Sequence, residues 1–240
     1  MAIALRGTPQ NSAVTQTQNG VDVTITFDVA PQEGDVVLVF GGHGASVTTI
    51  DAPGSGYTEV FSNTGVKPIG GVWYKVMGAS PDTDVLCSGG GNVSDGVGYG
   101  ACVLSGVDNS NVLDVPALNV AGTTPAQPHS PAITTVTDGA WVFSIGLNSS
   151  PDSGPVSPVG YSDFFGGYGN DTVDFSAYGS YKVIPTAGLE TPGAYTFWSS
   201  DEWYAISVAL RPGAFVPASG GKSRTGPGLT FGSMGKMGSI

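Results

Sequence analysis

The chain has 240 residues, is 40% hydrophobic and only 11% charged, and carries a formal net charge of -11. That length suits one large all-β domain or two small ones, with enough apolar material for a core and a polar surface drawn from Ser, Thr, Asn and Gln rather than from ions. An acidic balance excludes a binder of nucleic-acid phosphates, two cysteines exclude a disulfide scaffold, and no apolar run approaches the roughly 20 residues of a membrane-spanning helix.

In chain order, Met1 to Arg6 is too short for the apolar segment of a secretory signal, so none is expected. Val21, Val23, Ile25 and Phe27 alternate with Asp22, Thr24 and Thr26, the period-two signature of a half-buried strand. Glu33, Gly34 and Asp35 form a turn into the continuous apolar run Val36 to Phe40, which reads as a central strand. Gly71 to Met77 is a strand with Val72, Tyr74 and Val76 on one face. Val85 to Cys87 and Tyr99 to Leu104 pair as a hairpin centred near Ser94 and Asp95. That register would set Cys87 opposite Cys102, and two reduced core thiols are preferred there over a bridge. Asp108 to Ser130, rich in Pro, Asn and Ala, reads as a long crossover loop. Ala140 to Leu147 follows the turn Thr137, Asp138, Gly139, and then come Ala177 to Ile184, Tyr195 to Trp198 and Trp203 to Leu210.

No window of eleven or more residues has helical periodicity, and no internal repeat recurs at a fixed period. Gly (38) and Pro (17) fall between the apolar runs, as turn residues do. Many short strands with long connections indicate an all-β, antiparallel jelly-roll-like sandwich over residues 1–213. Residues 214–240 form an extended tail. None of the 19 acidic residues lies there, but three of the eight basic ones do, so the body carries -14 and the tail +3. Pro217 to Pro227 is linker-like. Beyond it Leu229, Phe231, Met234 and Met237 are spaced apolar anchors, and with Lys222, Arg224 and Lys236 they are the candidate assembly contacts of a segment that orders on a partner.

Chemistry is sparse. His43 sits among Gly41, Gly42 and Gly44 and reads as a strand-end loop residue. His129 lies between Pro128 and Ser130 in a rigid turn. Neither has the serine and carboxylate context of a nucleophilic triad, no Gly-x-Ser-x-Gly elbow occurs, and two distant histidines with two cysteines make no zinc constellation. Gly89 to Gly91 and Gly96 to Gly100 lack the Lys-Ser/Thr and the helix of a phosphate loop, and read as hairpin turns. Asp163, Asp171, Asp174, Glu190, Asp201 and Glu202 are a carboxylate-rich stretch among aromatics, which raises glycan hydrolysis as a minor alternative. Within it Tyr161, Asp163, Phe164, Phe165, Tyr168, Asn170 and Asp171 form the candidate ligand or receptor loop. Aromatic faces there would stack on sugar rings, oxygen ligands would suit calcium, and packing on the sandwich or a sister subunit is the competing explanation. No catalytic residue, cofactor or metal is assigned.

The succession Gly34 to Val39, Gly56 to Thr58, Trp73 to Val76, Ala101 to Asp108, Ser130 to Thr135 and Ala205 to Pro212 resembles a family of β-sandwich domains of tailed-bacteriophage virion proteins. The resemblance covers roughly residues 20 to 212, rests on structural motifs, and brings no active site. It implies a non-enzymatic virion component, such as a capsid decoration or tail-associated protein, assembled in the bacterial host cytoplasm. The expected partners are other virion subunits and further copies of the chain, as in a trimer. A host-surface glycan is the alternative partner, through an adhesion role on a tail fibre.

Overall fold

The computed structural model describes residues 1–12, 22–44, 50, 52–87, 96–123, 127–150, 156–166, 175–196 and 201–214. Among them the elements are all strands: β1 Ala4–Leu5, β2 Gln10–Asn11, β3 Val23–Thr26, β4 Val36–His43, β5 Thr58–Asn63, β6 Ile69–Val76, β7 Asp84–Cys87, β8 Val97–Ser105, β9 Leu113–Gly122, β10 Ile133–Thr134, β11 Ala140–Asn148, β12 Ser162–Phe165, β13 Ser176–Ile184, β14 Leu189–Glu190 and β15 Trp203–Leu210. One sheet runs β1-β8-β4-β6-β5, with β2 also on β8; the other runs β12-β13-β11-β15-β9; β3 pairs with β7 and β10 with β14. All pairings are antiparallel.

The two large sheets pack face to face. Val36, Leu38, Phe40, Val72, Cys102 and Leu104 of the first meet Phe143, Ile145, Leu147, Ile206, Val208 and Leu210 of the second in one apolar cluster. Alternation then sends the intervening residues outward. Val37, Val39, Trp73, Tyr99 and Val103 are covered by Val23, Ile25, Phe27, Val85 and Cys87, from the β3–β7 ribbon and its flank. Val142 and Ala209 are covered by Ile133 of the opposite ribbon and by Tyr161. This explains why the central strands lack the polar alternation of a one-sided sheet: both faces of β4 and β11 are covered, and every residue of each is buried.

The wiring differs from the jelly roll that the sequence suggested. A jelly roll passes the chain between its sheets, whereas here the first sheet and its ribbon are complete before the second begins. The two halves also share one plan. In each, a short or edge strand (β1 or β9) lies beside the last strand (β8 or β15), followed by the central strand (β4 or β11), its antiparallel neighbour (β6 or β13) and the edge strand that comes between those two in sequence (β5 or β12), and a ribbon covers the outer face. Val36 faces Val76 and Leu104, as Trp141 faces Val183 and Leu210. The sequence echoes this once the strands are aligned: Gly56, Tyr57, Thr58 against Gly160, Tyr161, Ser162, and Tyr74, Lys75, Val76 against Tyr181, Lys182, Val183. Unequal loops between these echoes hide them from any fixed period.

Other expectations need correction. β7 and β8 are not a hairpin; β7 pairs with β3 and β8 with β4. Cys87 therefore lies in the outer cluster and Cys102 in the inter-sheet cluster, both free and buried. The stretch expected as a long crossover loop contains the ten-residue β9. Gly98 and Gly100 lie inside β8 rather than in a turn. His43 ends β4 fully buried instead of standing in a loop. Of the expected strand Tyr195 to Trp198 the described residues are 195 and 196: Thr196 makes an isolated bridge with Val156, and Tyr195 N donates to Pro128 O at 3.0 Å.

Candidate functional site

The side chains named from the sequence separate in the fold. Residues 162–165 are the edge strand β12, paired only with β13 through a register shift at Asp163/Phe165, and not a loop. Tyr161, just before it, is 9% exposed. Its hydroxyl donates to Glu190 Oε1 at 3.3 Å, and Lys182 Nζ lies 5.8 Å from its ring centre. Lys182 also donates to both Glu190 oxygens at 2.9 Å. Burial first, and then the Glu190 charge, push the Tyr161 hydroxyl well above the ordinary phenol range. The Tyr161 ring is thus largely buried and tied to Lys182 and Glu190. Tyr168, Asn170, Asp171 and Asp174 lie outside the described residues, as do all seven tail contacts Lys222, Arg224, Leu229, Phe231, Met234, Lys236 and Met237.

The first half repeats the same arrangement. Lys75 Nζ lies 5.6 Å from the Tyr57 ring centre and donates to Asp82 Oδ2 at 2.5 Å. Asp82 does not reach the phenol, however, and the buried Tyr57 hydroxyl has no hydrogen-bond partner among the described residues. Burial, and then Asp82, raise its pKa as well. A lysine held between an aromatic face and a carboxylate is a structural clamp from strand to ribbon. The sequence signal was the repeated Tyr-Lys-Val, which single-site reasoning does not weigh.

Of the carboxylates singled out from the sequence, Asp171, Asp174 and the Asp163 side chain lie outside the described residues, and the other three are engaged as follows. Glu190 is spent on Lys182. The Asp201 and Glu202 side chains hydrogen-bond to each other, which raises Asp201 and lowers Glu202. Such contact is closer than the about 5 Å of retaining or the longer gap of inverting enzymes. Glu202 also accepts from Ser149 Oγ at 3.0 Å. Among the described residues no group of three or more His, Cys, Asp or Glu side chains is arranged to hold a metal ion.

Two further regions have functional geometry. At one end of the sandwich Gly213 N donates to Gly106 O at 2.7 Å, the Met1 ammonium donates to Gly213 O, and Asp108 N donates to Arg211 O at 2.9 Å. Both halves finish there, and the chain passes Ala214 towards the basic segment. At the opposite end Asn11 Nδ2 of the first half donates to Gly166 O of the second at 3.3 Å. Along one side, between the start of β5, the end of β6 and the link from β8 to β9, runs a groove of about 520 Å³ lined by Thr58, Tyr74, Asn109, Ser110, Asn111 and Val112, among others.

No family model, no curated protein and no solved structure matches this chain.

Proposed function

We propose that this protein is a non-enzymatic structural component of a bacteriophage particle, in which the sandwich is the displayed module and residues 215–240 attach it to neighbouring subunits. The observation that carries the reading is where the basic segment departs. Its root is pinned by the Gly213 to Gly106 bond and the Met1 to Gly213 bond at one end of the body. The segment brings +3 to a body of -14 and has no acidic residue. A charged, apolar-studded extension rooted at one pole leaves the opposite pole free to face outward. The virion setting itself rests on the resemblance of the strand motifs, and the jelly-roll wiring common among such proteins is not part of it.

Deleting residues 215–240 tests this. The truncated chain is expected to keep a cooperative unfolding transition and to be lost from purified particles that carry the full chain. Full incorporation of the truncated chain would remove the anchor role. A second reading, attachment to a glycan, is favoured by one specific observation, the side groove at Tyr74.

A further inference from the structure

We propose that the groove beside Tyr74 is a binding site for a neutral saccharide. It is distinct from Tyr161 and strand β12, and it does not depend on how the chain is anchored.

The duplicated plan of the molecule shows what is unusual there. In the second half Tyr181 occupies the position of Tyr74, and Trp141 stacks on it at 4.6 Å between ring centres and 3° between planes. In the first half the residue equivalent to Trp141 is Val36, which is fully buried and too small to cover a ring. Tyr74 packs one side on the inter-sheet core and is only partly buried. It has no ring partner among the described residues. One half of the molecule fills this position with tryptophan; the other leaves an aromatic face beside an open groove.

The polar groups around that face are uncommitted. Asp108 Oδ1 accepts from Ser110 N at 2.9 Å and from Asn111 N at 3.3 Å, so the backbone of the link between the halves is fixed as an Asx turn. The side chains of Asn109, Ser110 and Asn111, with the hydroxyls of Thr58 and Tyr74, have no hydrogen bond to the protein among the described residues. Preset backbone with unspent amide and hydroxyl groups lowers the ordering cost of binding. A volume of about 520 Å³ falls within the range of small-ligand pockets.

Charge selects the ligand class. Among the described residues no charged side chain lines the groove, in a protein whose net charge is -11. An anionic ligand would find no cation there and would meet the field of the body. A cationic ligand would find no carboxylate. A sugar offers what the lining can use: C–H faces for the Tyr74 ring, and hydroxyls that both donate to and accept from Asn, Ser and Thr.

Saturation-transfer NMR on the full chain tests the site. The probes are glucose, galactose, N-acetylglucosamine, cellobiose, lactose and chitobiose, with galacturonate and N-acetylneuraminate as acidic controls. At least one neutral sugar is expected to receive saturation, and neither acidic one. Thr58→Trp, placed at an exposed strand start so that it fills the groove without touching the core, is expected to abolish the signal. Tyr74→Leu, which keeps the core contact, is expected to weaken affinity about tenfold or more. If Tyr74→Leu does not fold, Thr58→Trp decides. Silence from all six neutral sugars, equal signals from the acidic ones, or binding that survives Thr58→Trp would each overturn the site. Deletion of residues 215–240 leaves the groove intact, so a failure here and a failure of particle attachment are told apart.

Discussion

Tyr57 and Tyr161 occupy matching positions, each under a lysine, yet one phenol has a partner and the other does not. A buried hydroxyl without a hydrogen bond carries its full desolvation cost, whereas one that donates to a carboxylate recovers it. Tyr57→Phe is therefore expected to leave the urea midpoint unchanged or raise it. Tyr161→Phe is expected to cost about 1 kcal/mol or somewhat more, because it also leaves Glu190 with one donor fewer. Equal losses in the two variants would contradict this. The same burial fixes a pH dependence. Both phenols have folded pKa values above the ordinary value of about 10, so the folded state keeps its protons longer than the unfolded one. Their stabilisation is complete below that value and drains away as pH rises through it. Urea midpoints should be flat from about pH 7 to 9 and fall towards pH 11, with a smaller fall in the double variant Tyr57→Phe/Tyr161→Phe. The sequence marked Tyr161 as chemically interesting, but it could not tell an exposed ring from a clamped one. Its partners Lys182 and Glu190 come from other strands.

Strands with heavy apolar alternation were legible, and β4, β11, β13 and β15 fall where the residues put them. β9 was not. Leu113, Val115, Ala117 and Val120 give a weak pattern, and Pro116 argues against a ladder. The strand forms because it is an edge, and Pro116 falls where its ladder with β15 shifts register between Val115 and Leu118, a place that tolerates a residue without an N–H. Its end shows how tightly it fits. Gly122 faces Trp203, and a Cβ added there would lie 2.1 Å from Trp203 Cζ2. The tryptophan ring thus lies over a position that only glycine leaves open. Gly122→Val is expected to lower stability by about 1–3 kcal/mol through displacement of that ring. Adding Trp203→Leu should make the Gly122→Val step smaller, since the two residues share one space. A thermal melt of Gly122→Val that overlays the parent would refute the contact.

At the scale of the molecule, two sheets of one plan share a single core. Phe40 and Leu38 from the first half sit in the same cluster as Phe143 and Ile145 from the second. Neither sheet can lose its partner without exposing that cluster to water, so the halves should unfold together despite their separate wiring. Calorimetry is expected to give one transition with matching calorimetric and van't Hoff enthalpies. Two resolved transitions would mean that the halves are independent units.

The sequence by itself determined the secondary-structure class, the long buried strands and the partition of charge between body and end, because each depends on residues near one another. Period two says which residues share a face. It does not say which strand lies alongside, since ladder bonds form between any two extended segments that loop closure brings together. Strand partners were therefore decided only in the tertiary structure. With them came the separation of Cys87 from Cys102, the duplicated plan hidden by unequal loops, and the lysine clamps. The bare face of Tyr74 belongs to the same class, because the tryptophan that covers its counterpart is replaced by Val36 on a neighbouring strand.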